Sequence, residues 1–134
     1  MKLLDIRLLC LLFAAFLIGC ASHSRENPNA FKLLYTAKID SEQISKFKDC
    51  FLIELDLIRS VSFRTGNREF NFSDFIRIEN ETSVGTLTST DINKDGEIQF
   101  YRWTNRYIST ELEETSFKKC IIETKGKLKK VESL

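Results

Sequence analysis

The chain has 134 residues, of which 43% are hydrophobic, and carries 20 Lys and Arg against 19 Asp and Glu. This length suits one domain, and the hydrophobic content, with 11 Phe, is enough for a core and argues against wholesale disorder. A net charge of +1 removes the simple electrostatic case for nucleic-acid binding, which usually needs a clearly basic domain.

The first residues have the layout of a secretory signal peptide. Lys2 and Arg7 make the start weakly positive, and an uncharged apolar run follows from Leu8 to Ile18. A membrane-spanning helix needs roughly 20 apolar residues, so this run is too short to cross a bilayer comfortably. A positive start, a short apolar stretch and then small residues therefore predict a leader that is cleaved on export. A buried core helix is the less favoured interpretation.

The end of this leader carries a more specific signal. The sequence Leu17-Ile18-Gly19-Cys20 resembles the lipobox of bacterial lipoprotein precursors. The resemblance implies cleavage between Gly19 and Cys20, a diacylglyceryl group on the Cys20 thiol and acylation of the new amino group. Two or more acyl chains anchor a protein stably in a membrane, whereas one chain binds only marginally. Ordinary secretion with Cys20 unmodified is the alternative.

The residue after the lipobox indicates the membrane in which the lipoprotein is expected. Ala21 stands where, in Gram-negative lipoproteins, an Asp favours retention in the inner membrane. By resemblance, the expected location is therefore the outer membrane, through a lipid anchor. In a host with a single membrane, the anchor is expected in that cell membrane.

The composition divides the chain into four parts. Residues 1–19 are expected to form the leader, and residues 20–30 the cysteine that the resemblance implies is lipidated, followed by a polar, flexible tether. Residues 31–124 are expected to form the globular domain, and residues 125–134 a Lys-rich C-terminal tail. About ten residues of random coil reach roughly 17 Å, enough to clear lipid headgroups. The chain's one histidine, His23, lies in this tether.

Short β-prone segments dominate the domain. The run Phe31–Lys38 predicts a first strand, and Asp40 with Gln43 has the spacing of a helix start. Apolar side chains recur at i, i+3 and i+7 from Ile44, which indicates a short amphipathic helix ending near Asp49.

Further strands follow in the predicted order. Alternation over Phe51–Leu57 predicts a strand with one buried face, and Gly66-Asn67 between the alternating runs 61–65 and 70–72 predicts a two-residue hairpin turn. Three more strands are expected at Phe75–Glu79, Thr86–Ile92 and Glu97–Trp103.

The segment 105–124 is ambiguous between helix and strand. Thr110 and Glu113 have capping-box spacing, whereas Cys120-Ile121-Ile122 favours a strand. The whole pattern predicts an α+β fold, with an antiparallel sheet or meander, one or two short helices and a single disulfide-braced domain. An all-β, lipocalin-like barrel is the alternative.

Two cysteines remain for a bridge once Cys10 leaves with the leader and Cys20 carries lipid. In an exported protein, the pair Cys50 and Cys120 predicts a disulfide between the start of a strand and the C-terminal segment. Closing a loop of about 70 residues stabilises by about 4 kcal/mol in the chain-entropy model. Free buried thiols and a metal site are the alternatives, although the domain has no histidine to complete a metal site.

The segment from Asp91 to Ile98 resembles the start of an EF-hand calcium loop. Asp91, Asn93 and Asp95 offer oxygen atoms at positions 1, 3 and 5, but Arg102 occupies position 12, where a bidentate Glu normally closes the loop. Since strands are predicted on both sides, a hairpin tip with a type I turn and a glycine bulge is favoured. Weak calcium binding through these three residues is the lesser alternative, and no other metal or cofactor is expected.

Little in the sequence favours catalysis. The predicted domain contains no histidine that could activate a Ser or Cys nucleophile. The remaining candidates for acid-base chemistry are two groups of carboxylates. One group contains Glu111, Glu113 and Glu114, and the other contains Glu54 and Asp56. The spacing in both groups is ordinary for a solvated face. We therefore expect no enzyme, and a carboxylate-dependent hydrolase is the least favoured function.

The densest aromatic and basic cluster comprises Tyr101, Arg102, Trp103, Arg106 and Tyr107. Tyr101 and Trp103 share one face of the predicted strand, which fits core packing best and a sugar- or peptide-stacking platform second. The Lys-rich tail is expected to be a frayed, solvated end, or alternatively a contact with anionic headgroups or cell-wall polymer.

Together these features predict a membrane-anchored bacterial envelope lipoprotein whose small domain is a binding or interaction module. Its expected partners are the membrane, through the anchor, and an envelope protein or a cell-wall polymer. A small-ligand-binding barrel is the alternative.

Overall fold

The computed structural model describes residues 31–58, 66–83, 85–103 and 108–132. The leader, the lipobox cysteine, the tether and the run 61–65 lie outside the described residues. Among those that are described, no helix is both long and apolar enough to span a membrane.

The described elements are six strands, two α-helices and one 3-10 turn. They are β1 (Phe31–Lys38), a 3-10 turn (Ser41–Gln43), α1 (Ile44–Leu57), β2 (Gly66–Asn71), β3 (Phe75–Thr82), β4 (Gly85–Asn93), β5 (Glu97–Trp103), α2 (Glu111–Glu123) and β6 (Lys127–Lys130).

The strands form one antiparallel sheet in the order β2-β3-β4-β5-β1-β6. Strands β2 to β5 make a meander, and β1 lies between β5 and β6. The sheet is open, since β2 and β6 stand at opposite edges and no pairing joins them within the described ranges. The α+β prediction is therefore confirmed, and the closure that a barrel requires is not seen.

Helix α1 is longer than the sequence suggested, and the strand predicted over Phe51–Leu57 is wrong. Phe51 and Leu55 are buried, whereas Ile53 is 61% exposed and Leu57 66% exposed. A strand would place all four on one face, but a helix aligns only residues three or four apart. Phe47, Phe51 and Leu55 form that helical stripe, and burial of these three decides the conformation.

The turn predicted at Gly66-Asn67 is also wrong. Both residues belong to β2, where Gly66 pairs with Glu81 and Asn67 with Asn80. The chain instead reverses after β2, where the Phe72 backbone N–H donates to the Phe75 carbonyl oxygen at 2.8 Å.

The ambiguous segment 105–124 contains helix α2, which buries Phe117, Cys120 and Ile121. The capping box does not form, because Glu113 points into the interior and the Thr110 hydroxyl donates to Glu114 at 3.1 Å. Both helices pack on the same face of the sheet, where aromatic rings from both layers meet. The Phe117 ring centroid lies 4.7 Å from that of Phe100, on β5.

Cys50 and Cys120 form the predicted disulfide, with their Cα atoms 5.8 Å apart. The bridge joins α1 to α2, so the expectation that it starts from a strand is wrong. The expectation of a frayed tail is wrong for Lys127–Lys130, which pairs with β1 as an edge strand. All four side chains of that strand are exposed, as expected of a solvated segment.

Candidate binding site on the open face of the sheet

The two faces of the sheet differ in what covers them. Both described helices lie on one face, and we call the opposite one the outer face. Strand residues alternate between the two faces, so Ile78, Thr90 and Phe100 point toward the helices. Their neighbours Glu79, Ser89 and Tyr101 therefore point outward.

A depression lies at the centre of the outer face. Ser89 stands directly opposite Glu79 on one side and Tyr101 on the other. A short side chain between two longer ones leaves space above it, and the cavity measures about 250 Å³. Its lining comprises Phe31, Arg77, Glu79, Ser89 and Tyr101.

Arg77 is held firmly at the rim of the depression. Its Nε donates to Asp91 Oδ1 at 2.8 Å and its Nη2 to Asp91 Oδ2 at 3.0 Å, a bidentate geometry. The guanidinium carbon also lies 5.8 Å from the Phe72 ring centroid and 5.3 Å from that of Phe75. The hydrogen bond with Asp91 raises the pKa of Arg77, so the side chain keeps its charge.

The surroundings of two other rim residues raise their pKa values. Burial raises the pKa of Glu79, and the nearby charge of Glu81 adds to this effect. Burial likewise raises the pKa of Tyr101, whose hydroxyl donates to Gln99 Oε1 at 2.7 Å. The rim therefore combines a positioned cation, a carboxylate that is costly to ionise and an aromatic ring.

The floor of the depression is a buried hydroxyl. Ser89 is 5% exposed, and its Oγ has no hydrogen-bond partner among the described residues. A buried polar atom without a partner carries a free-energy cost, so its presence calls for an explanation. A group entering the depression could supply the missing bond.

The aromatic cluster predicted from the sequence divides between the two faces. Tyr101 and Trp103 are on the outer face, half-buried and opposite the main core, so the favoured core assignment is wrong for both. Trp103 meets Phe31 edge-on, with ring centroids 4.6 Å apart. Arg102 points to the helix side, and residues 106 and 107 lie outside the described ranges.

The hairpin tip between β4 and β5 has the predicted turn. Asn93 Oδ1 accepts hydrogen bonds from the backbone N–H groups of Asp95 and Glu97, at 3.0 and 2.9 Å. Gly96 has a positive φ of 85° and donates its N–H to the Asn93 carbonyl oxygen. Asp91 is paired with Arg77, so two of the three candidate calcium ligands are already engaged.

The acidic residues considered for catalysis do not converge. Glu111 is exposed, Glu114 accepts from Thr110, and Glu54 pairs with Lys119. Only Glu113 is buried, at 3% exposure. In the described part of the chain, no group of three or more His, Cys, Asp or Glu side chains is placed to hold a metal ion.

Glu113 forms a separate buried polar contact beneath α2. Asn80 Nδ2 donates to its Oε1 at 3.0 Å, whereas Glu113 Oε2 and Asn80 Oδ1 have no partner among the described residues. Burial raises the pKa of Glu113. This carboxyl is enclosed on the helix side, away from the depression.

The chain has no significant match among protein-family models, curated proteins or solved structures. The fold and the site therefore define the class directly: a two-layer α+β domain with both described helices on one face of its sheet and a polar, aromatic depression on the other.

Proposed function

We propose that this chain is a membrane-anchored lipoprotein of the bacterial envelope and that its domain is a binding module which uses the outer face. The observation that carries the binding role is the depression over Ser89, where a buried hydroxyl without a described partner meets a fixed guanidinium and aromatic rings. Convergent polar groups in a concave site are typical of ligand-binding surfaces. The partner is an envelope protein or a cell-wall polymer.

Binding is favoured over catalysis by the chemistry near Ser89. A serine nucleophile needs a positioned base, and the chain's one histidine precedes the domain. Of the two nearby carboxylates, Asp91 has both oxygens engaged by Arg77, and Glu79 forms no hydrogen bond with the Ser89 Oγ, which has no partner among the described residues. The arrangement is suited to holding a ligand, and we propose no reaction for it.

The anchor is supported by the Leu17-Ile18-Gly19-Cys20 sequence, and the proposed location is the outer membrane. Intact mass of the protein purified from its own membranes tests it. We expect a chain that begins at Cys20 and carries acyl groups. A water-soluble chain with unmodified Cys20 would exclude the anchor.

Photocrosslinking in intact cells tests the binding surface. A benzophenone side chain replacing Phe31, which is 37% exposed at the rim, should give crosslinked adducts. The same group replacing Ile53, exposed on α1, is the matched control and should give few. Equal yields at the two positions, or adducts only from position 53, would contradict a binding role for the outer face.

A further inference from the structure

We infer that the depression over Ser89 binds an uncharged sugar ring of a glycan polymer. The inference rests on the proposed function, since it assigns a ligand class to the same outer face. It uses the size of the depression, its hydrogen-bonding groups, its rings and its charge.

The size limits the occupant to a small unit. Pockets for drug-sized ligands begin at about 300 Å³. One sugar ring of a longer chain fits this space, with neighbouring rings running along the sheet.

The polar groups require a ligand that both donates and accepts hydrogen bonds. The Ser89 hydroxyl can do either, ionised Glu79 only accepts, and Arg77 only donates. A sugar supplies several hydroxyl groups, and each of them can donate and accept. One ring can therefore give the buried Ser89 Oγ a partner while it also reaches the charged rim.

The aromatic side chains of the depression suit the apolar C–H surface of a sugar ring. Phe31 and Tyr101 line the depression, and Trp103 supports Phe31 from the side. Aromatic faces carry partial negative charge, so they attract the slightly positive C–H groups of a sugar ring. A flat apolar ligand would leave the polar floor unpaired, at a cost in free energy.

Charge argues against an anionic ligand. Arg77 is neutralised by its bidentate pair with Asp91, and Arg68 pairs with Glu81. Glu79 belongs to no described ion pair of this face, so the rim has an acidic balance when Glu79 is ionised. An ammonium ligand also suits Glu79, which lines the depression, and a diamine probe tests that alternative.

Binding of a panel of uncharged oligosaccharides to the full processed protein in detergent tests the inference. Fluorescence of Trp103, the chain's one tryptophan, provides the readout, and calorimetry confirms it. Inorganic phosphate and 1,5-diaminopentane are the anionic and cationic probes. We expect at least one oligosaccharide to bind more than tenfold tighter than either.

Variants assign that binding to the depression. Ser89→Leu fills the space and should weaken binding at least tenfold, and Ser89→Ala removes only the hydroxyl and should weaken it several-fold. Glu79→Gln should also weaken it, whereas Glu97→Gln, an exposed outer-face residue outside the lining, should not. Circular dichroism checks that each variant is folded. If Ser89→Leu does not fold, the Ser89→Ala variant still tests whether the hydroxyl contributes to binding.

The outcomes separate this inference from the proposed function. If no oligosaccharide binds, or if the diamine binds best, the sugar assignment is wrong. Protein adducts from position 31 would then still support a binding role for the outer face. Failure of both the panel and the crosslinking would overturn both proposals.

Discussion

Gly96 occupies a position that only glycine fits. Its φ is +85°, and an added Cβ would collide with the Ile39 carbonyl oxygen. The Ile39 backbone N–H also donates to the Gly96 carbonyl oxygen at 2.9 Å, so the two segments cannot separate without losing that bond. This contact fixes the β4–β5 hairpin tip against the end of β1.

Gly96→Ala should therefore lower the free energy of unfolding by about 2 kcal/mol or more, from backbone strain and the clash. Urea denaturation measures the loss. Gly66→Ala is the control, because an added Cβ there meets no atom within 4 Å. That variant should change stability by less than about 0.5 kcal/mol, and similar losses in both would contradict the steric argument.

Glu113 makes stability depend on pH. Burial raises its pKa above the ordinary 4.5, so the folded state holds its proton to higher pH than the unfolded state does. Between those two pKa values the folded state binds more protons, and the free energy of unfolding falls as pH rises. Glu113→Gln, which cannot ionise, should lose the part of this fall that Glu113 causes, whereas Glu79, whose pKa burial also raises, keeps its own part.

Urea denaturation across pH 4 to 8 measures this effect. Glu111→Gln, on the exposed side of the same turn, is the control and should keep the wild-type slope. If Glu113→Gln retained the same fall in stability with pH, burial of this carboxyl would not be its source.

At the scale of elements, the disulfide is a covalent link between the two helices. The Cys50–Cys120 bridge spans 70 residues of sequence, and it connects α1 and α2 above the aromatic core. Loss of a bridge of this span increases the entropy of the unfolded chain. Replacing both cysteines by Ala should therefore lower the free energy of unfolding by about 4 kcal/mol.

Denaturation with and without reductant measures the contribution of the bridge. Reduction should destabilise the wild-type protein by a similar amount and leave the Cys50→Ala/Cys120→Ala variant unchanged. If complete reduction left the free energy of unfolding of the wild-type protein unchanged, the disulfide would not contribute to stability.

Some elements could be predicted from local patterns and others could not. Strands β1, β3, β4 and β5 follow from short segments of β-prone residues, and the disulfide follows from the cysteine count. The second half of α1 was missed because Phe51 and Leu55 satisfy both a period of two and a spacing of four. Only contact with the rest of the core distinguishes a strand from a helix in this segment.

The candidate site was harder to predict for a different reason. Tyr101 could be singled out as an aromatic residue beside basic ones, but Ser89, Arg77 and Glu79 carry no local signal. The depression exists because the registers of three strands place a short side chain between two long ones. Register is set by pairings between distant segments, which no short window of sequence contains.

For the whole molecule, the sheet order predicts a gradient of local stability. Strands β4 and β5 have a strand on each side and helices above, whereas β2 and β6 each have one neighbour in the described sheet. Backbone amides with few buried contacts open most readily. Hydrogen exchange measured by mass spectrometry should therefore be slowest in β4 and β5 and fastest in β2 and β6. Equal protection in edge and central strands would contradict this gradient.

The position of β1 has a mechanical consequence. This first strand of the domain is held on both sides, by β5 and by β6. Antiparallel hydrogen bonds run perpendicular to the strands, so tension applied along β1 from residue 31 loads both ladders in shear. Many bonds then resist together, whereas peeling an edge strand breaks them one after another. A pull applied from the N-terminal side of β1 is therefore borne by the interior of the sheet.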